Sequence, residues 1–257
     1  MNEKLLFLII EQDKMMRRII TDFIRQMVRG NEISDDVEVY DSSSGKEALS
    51  LCEIMFKATD EGSVTYKGEP ITPLPGTQGK VIVICNVEME PMGGGRELLQ
   101  VCMNDEILRD MSFILMAQDP DLGLISELGE LGVTNILAKP LTLNKLSHTI
   151  RNVVVWVQSE ERSHYKKVEL LLDLGEYGEA LTLIKNAESK YTNLKWVILR
   201  GRAHLGLNET DEARNDFEQV EVGAHTVSII ALKHMVQLYE ASGDTKNGHR
   251  QSQQAHP

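Results

Sequence analysis

The chain is poor in aromatic residues, in cysteine and in positive charge, and it has no long hydrophobic run. Aromatics make up 5% of its 257 residues, which argues against a base-stacking platform for single-stranded nucleic acid and against most all-β sandwiches. Basic residues number 27 against 39 acidic ones, for a net charge of −12. Such a surface repels a polyanion unless a basic stripe offsets it, so nucleic acid is not the expected partner. The three cysteines, Cys52, Cys85 and Cys102, form no CxxC pair and are expected as buried free thiols in a reducing compartment. The apolar run at residues 5–10 is too short to cross a bilayer and is preceded by Glu3-Lys4, one acid and one base, instead of a basic segment, so neither a membrane span nor a secretion signal is expected. A cytoplasmic location is the expectation. The seven histidines show no metal-ligand spacing, and Gly93-Gly94-Gly95 lacks the spacing and lysine of a phosphate-cradling loop. No metal, cofactor or enzymatic activity is expected on these grounds.

What is present is an alternation. Short apolar runs at residues 5–10, 37–40, 81–85, 113–116 and 134–138 read as strands, four of them near-continuous, as suits a parallel sheet buried on both faces. Helical periodicity follows each run, at residues 15–28, 44–56, 97–103, 122–131 and 143–157. Met15, Met16 and Met27 are expected in the core. Five such β-α units predict an α/β doubly wound five-stranded parallel sheet over residues 1–157, with ligand chemistry beyond the carboxyl ends of its strands. A proline- and glycine-rich insertion at 59–79 interrupts it, with a small hairpin beginning near Val64. Residues 1–150 carry a net charge of −10 and the remainder −2, which points to two units.

From residue 158 the pattern is helical only. Leu174-Gly175-Glu176-Tyr177-Gly178-Glu179-Ala180 recurs as Leu207-Asn208-Glu209-Thr210-Asp211-Glu212-Ala213, and more weakly around Gly243. Offsets of 33 and 35 residues predict stacked helix pairs of the tetratricopeptide type over 158–250, followed by a polar tail at 251–257. A helix continuous with the end of the first unit is expected to lead into them. The run Val153-Val154-Val155-Trp156-Val157 reads as burial against the first repeat helices or, alternatively, as a homodimer seam.

The first unit resembles a response-regulator receiver domain of the flavodoxin-like fold, the chemotaxis receiver in particular. The resemblance lies in Phe7-Leu8-Ile9-Ile10-Glu11-Gln12 with Met16-Arg17-Arg18-Ile19-Ile20, in Met89-Glu90-Pro91-Met92-Gly93-Gly94, and in Lys139-Pro140. It implies an acidic pair that holds Mg²⁺, an aspartate acceptor, a hydroxyl and a lysine that engage the phosphoryl group, and a mobile aromatic residue. In this chain the acidic pair falls on Glu11 and Gln12, the acceptor on Asn86, the hydroxyl on Ala117 and the aromatic on Ile136; Lys139 alone is kept. An amide is a poor nucleophile, Gln12 and Asn86 each remove a negative charge from a cation cage, and Ala117 has nothing to donate.

The expected function is therefore a non-phosphorylatable, receiver-like adaptor in bacterial signalling. It would act through protein partners, with Lys139 bonded to Asn86 or paired with Glu11. The alternative is a conventional phospho-switched regulator with Mg²⁺ and a non-standard acceptor among Asp13, Glu88 and Glu90. In the helical unit the first helix of each pair is expected to line a partner groove through Arg162, Tyr165, Lys195, Ile198, Arg202 and Lys233, with base in excess of acid.

Overall fold

The computed structural model describes residues 4–34, 36–57, 64–71, 80–89, 94–133 and 135–220, together with Ala231, His234 and Met235. Its contacts divide the chain into two units, Met1–Pro120 with Asn135–Gln158, and Asp121–Thr134 with Ser159–Pro257. Among the described residues no helix is long and apolar enough to cross a membrane.

The first unit is built on β1 (Leu5–Ile10), β2 (Val37–Ser42), β5 (Val81–Asn86), β6 (Ser112–Ala117) and β7 (Asn135–Ala138). These strands pair in parallel in the order β2-β1-β5-β6-β7. Every residue of β1 and β5 is buried, as expected of central parallel strands covered on both faces. Alternate residues serve the two sides. Leu5, Phe7, Ile9, Ile82, Ile84, Ile114 and Met116 meet Ile20, Ile24 and Met27 of α1 (Lys14–Arg29) and Ile150, Val153, Val154 and Val157 of α5 (Leu143–Gln158). On the other side Leu6, Leu8, Ile10, Val83 and Cys85 are buried, and α2 (Gly45–Cys52) packs on β1, β2 and α3 (Gly95–Asn104). The three cysteines are buried free thiols, and burial pushes the Cys85 thiol up, away from reactivity.

Three expectations are revised here. Met27 is in the core, but Met15 is 74% exposed, because only one stripe of α1 faces the sheet. Val153, Val154 and Val157 fill the sheet's own core, which leaves Val155 exposed and Trp156 half-buried from the run read as a seam or a repeat contact. The helix expected to run on from the first unit breaks at Ser159. That residue is extended (φ −82°, ψ 147°), and its hydroxyl accepts the Arg162 N–H at 3.2 Å, an N-cap that starts α6 (Glu160–Asp173) afresh.

Within the insertion, β3 (Val64–Tyr66) and β4 (Glu69–Ile71) form an antiparallel hairpin. Its two turn residues, Lys67 and Gly68, both have positive φ (52° and 83°), as a tight primed turn requires. The hairpin is tied to the end of β2: the Tyr66 hydroxyl and the Lys67 ammonium donate to the Asp41 carbonyl at 3.0 and 2.7 Å. Lys67 also lies 3.5 Å from Glu47, and Glu47 stands three residues after Ser44, the cap of α2.

In the second unit α4 (Leu122–Glu130) is capped by Asp121, whose carboxylate accepts the Leu124 N–H at 2.8 Å. Among the described residues it also holds α6, α7 (Tyr177–Glu188), α8 (Leu194–Gly206) and α9 (Thr210–Val220). α6 packs on α7 and α8, α7 on α8, and α8 on α9. The ends of α6 and α8 are alike in detail. Glu176 N–H donates to the Leu171 carbonyl and, at the equivalent place, Glu209 N–H donates to the His204 carbonyl, both at 2.9 Å, while Gly175 and Asn208 take φ of 78° and 62°. Each is a left-handed helix stop closed by a six-to-one hydrogen bond. Ala180 and Ala213 are both fully buried. On α8, a Cβ on Gly201 would lie 2.5 Å from the Phe217 ring and one on Gly206 2.3 Å from the Tyr177 ring, so both glycines are needed for the helix contacts.

Partial burial alone would raise the Glu47 carboxyl, but the Ser43 N–H, the Ser42 hydroxyl, the Lys67 ammonium and the Ser43 hydroxyl together bring it from 4.5 down to about 2. A carboxyl lowered in the folded state contributes stability above its unfolded value and loses it as pH falls. Denaturation of the parent and of Glu47→Gln should therefore differ most above about pH 5. The difference should shrink between 4.5 and about 2.

Candidate functional site

The polar residues of the first unit gather where the strands end. Glu11 directly follows β1, Asn86 ends β5, Ala117 ends β6 and Lys139 directly follows β7. Chain connectivity places the β1 end beside the β5 end, and β5, β6 and β7 are successive neighbours, so residues far apart in sequence meet there. Gly94 and Gly95 allow the closest approach. A Cβ on Gly95 would lie 2.4 Å from the Asn86 carbonyl oxygen and 2.8 Å from Cys85 Sγ, so α3 starts hard against the end of β5 only because this residue is glycine.

Glu11 is 3% exposed and its charge is fully answered. Lys139 Nζ lies 3.1 Å from Oε2, while Asn86 Nδ2 at 3.3 Å and the Asp13 N–H at 3.2 Å donate to Oε1. Removing one partner of such a buried pair strands the other charge, at a cost of about 3–5 kcal/mol. Of the two partners expected for Lys139, the structure shows the ion pair with Glu11.

Asn86, 5% exposed, uses both ends of its amide. Its Oδ1 accepts the Glu88 N–H at 3.1 Å, and its Nδ2 also donates to the Glu88 carbonyl at 3.2 Å. A carboxylate at this position could accept but not donate. Ala117 is fully buried and brings only a methyl group; its carbonyl accepts the Lys139 N–H at 2.7 Å. Gln12 is exposed, and its carbonyl accepts from Arg17 at 2.9 Å. Arg17 also donates to the Glu11 carbonyl and lies 3.0 Å from Asp41, so it fixes the turn after β1 against the end of β2.

The neighbouring acids are engaged as well. Asp13 caps α1 by accepting the Met16 N–H at 2.8 Å, and both Glu88 carboxylate oxygens lie 3.0 Å from the Gln118 N–H. Glu90 lies outside the described residues. This donor set does not fit a hard divalent cation, which needs several carboxylate or carbonyl oxygens turned to one point. Among the described residues no three His, Cys, Asp or Glu side chains form such a group.

The groove residues of the second unit divide. Tyr165 packs edge-on against Trp196, with ring centroids 5.6 Å apart. Burial pushes its hydroxyl up, Glu169 adds to this and Arg202 opposes it. Burial pushes the Lys195 ammonium down, against the pull of Glu169 and Glu161. Arg202 faces Asp173 at 3.8 Å, and Lys166 pairs with Glu169 at 3.0 Å. Tyr165 with Trp196 and Arg202 with Asp173 connect α6 and α8, so Lys195 and Arg202 stand on this face beside the acids Glu161, Glu169 and Asp173. Ile198 is not a lining residue: it is 6% exposed in a core with Ala213, Phe217 and Val220, because the buried stripe of α8 includes it. Arg162 is buried at 9% exposure. Lys233 lies outside the described residues.

Sequence reasoning missed Arg17 and Gln118 as site residues. Arg17 could have been found by its place one turn into α1, within reach of the strand end. Gln118 acts through its backbone N–H, which leaves no sequence signal.

A parallel sheet in this order, with polar side chains beyond its carboxyl ends, defines the flavodoxin-like class of doubly wound folds. Among solved structures the chain is similar to receiver domains over about 60% of its length. The chemotaxis protein CheY4 of Vibrio cholerae is 16% identical, covering 59% of this chain and 99% of that one, with a TM-score of 0.42. The receiver domain of a DNA-binding response regulator from Colwellia psychrerythraea is 18% identical, covering 59% and 98%, with a TM-score of 0.44. A cyanobacterial phytochrome response regulator, RcpA, is 16% identical, covering 61% and 96%, with a TM-score of 0.43. No family model matches the chain, and no curated protein matches it.

Asn86→Asp tests what the amide does. The substitution removes both donated bonds and turns a carboxylate toward Glu11 and the Glu88 carbonyl. It should destabilise the protein by about 1–3 kcal/mol, read by urea denaturation at neutral pH.

Proposed function

We propose that this chain is a response-regulator-type signalling protein whose receiver-like unit takes no phosphoryl group, and whose helical unit is built of tetratricopeptide-type repeats that bind a protein partner. The observation that carries the first half is the double use of Glu11: the lysine and the amide at the strand ends are both bonded to it. Phosphoryl transfer to a side chain needs a carboxylate nucleophile. It also needs charge stabilisation by a cation and by donors aimed at the phosphoryl oxygens. Asn86 supplies no nucleophile, Ala117 no hydroxyl, and Lys139 is held by an anion of the chain itself. One arrangement is thereby fixed, which suits a docking module better than a switch.

The repeats find support in the matched helix ends at Gly175 and Asn208, 33 residues apart, and in the buried alanines that follow each. Stacked repeats present the first helices of successive pairs side by side, as α6 and α8 lie here. The face they share carries Tyr165, Lys195 and Arg202 beside Glu161, Glu169 and Asp173. It suits a partner segment with charges of both signs more than a purely acidic one.

Intact mass after incubation with acetyl phosphate and Mg²⁺ tests the first half: no gain of one phosphate is expected. A gain that disappears in Asp13→Asn or Glu88→Gln would establish the conventional switch with a substitute acceptor. For the second half, a partner retained by the full chain should be lost on joint Lys195→Ala and Arg202→Ala substitution, and kept on Gln12→Ala. Retention by the double variant at parental affinity removes the α6–α8 face from the reading.

A further inference from the structure

Two sets of bonds at the end of β5 meet in one residue. The Asn86 amide clasps the main chain of Glu88, accepting its N–H at 3.1 Å and donating to its carbonyl at 3.2 Å. The Glu88 side chain then crosses to the neighbouring strand end, where both of its carboxylate oxygens lie 3.0 Å from the Gln118 N–H. Asn86 and Met116 stand opposite each other in the β5–β6 ladder, so residues 88 and 118 each lie two positions beyond that pair. Ala117 offers no side-chain donor at the end of β6, and the Gln118 backbone N–H that follows it is the donor that Glu88 takes up. A backbone N–H bonded to a carboxylate is a charge-assisted hydrogen bond, stronger than its neutral counterpart.

We propose that Glu88 is an internal anion that straps residues 87–89, which follow β5, to the end of β6, and so holds these strand ends in one arrangement without a bound phosphoryl group. A two-state element responds to a ligand only if that ligand comes and goes. An anion carried on the chain is always present, so the population of the strapped state is set by the fold and not by a signal. The buried amide of Asn86 has a role in this that an aspartate could not fill: it holds the Glu88 backbone by one accepted and one donated bond. The functional meaning of the strap rests on the reading of the unit as one that takes no phosphate; its geometry does not.

The test is amide hydrogen exchange by NMR on the full chain. Exchange at Gln118 should be at least about tenfold faster in Glu88→Ala than in the parent, and intermediate in Glu88→Gln, whose carbonyl still accepts but carries no charge. The Val87 N–H, bonded to the Met116 carbonyl at 2.9 Å, reports whether the sheet is intact and should stay protected. Unchanged exchange at Gln118 in Glu88→Ala overturns the strap. If Glu88→Ala also loses protection at Val87, Glu88→Gln decides: parental exchange at Gln118 there overturns the strap, and faster exchange supports it. The same parent sample treated with acetyl phosphate and Mg²⁺ separates the two claims. A gain of phosphate in a chain whose Gln118 depends on Glu88 overturns the phosphate-free reading and leaves the strap. No gain, with Gln118 still released by Glu88→Ala, supports both.

Discussion

A carboxylate removed from water must have its charge answered where it stands, or it does not stay ionised there. Glu11 is such a group, and the strand ends of the first unit are arranged around it. Lys139 comes to it from the far edge of the sheet, Asn86 from the adjacent strand and the Asp13 N–H from its own turn. The turn after β1 is fixed in addition by Arg17, which reaches the Glu11 and Gln12 carbonyls and Asp41 at once. The ends of three parallel strands and the turn after β1 thus share one electrostatic constraint.

That constraint gives the amide at residue 86 a reason. A carboxylate beside Glu11 would place two like charges in a buried site, and one of them would be driven neutral. Asn86 avoids the repulsion, donates to Glu11 and still has an acceptor left for the Glu88 N–H. The amide is thus a structural clasp, and the charge of Glu11 is balanced by Lys139.

The second unit rests on shape more than on charge. Gly201 and Gly206 let the Phe217 and Tyr177 rings lie against α8, and Ala180 and Ala213 are small where they are wholly enclosed. On its α6–α8 face Arg202 of α8 faces Asp173 of α6, and Lys166 pairs with Glu169 along α6 itself. Exposed pairs of this kind each contribute little to stability, about 0–1 kcal/mol, so they set the pattern of surface charge and not the strength of the fold.

Much of this was legible in the sequence, because burial on both faces forces a strand to be apolar throughout and a helix stop forces glycine or asparagine into a left-handed turn. The five strands, the hairpin near Val64 and the recurrence of Gly175 at Asn208 all follow from such local rules. So does the set Glu11, Gln12, Asn86, Ala117 and Lys139, since strand ends are visible in the pattern. Which of those groups bond to one another was not legible. Glu11 and Lys139 are 128 residues apart, and only the order of strands in the sheet makes them neighbours. The exposure of Met15 and the burial of Ile198 and Arg162 were likewise decided by packing, because periodicity gives a helix a face without saying what will cover it. The Gln118 N–H is the extreme case: every residue but proline carries the same donor, and only the tertiary structure brings a carboxylate to this one.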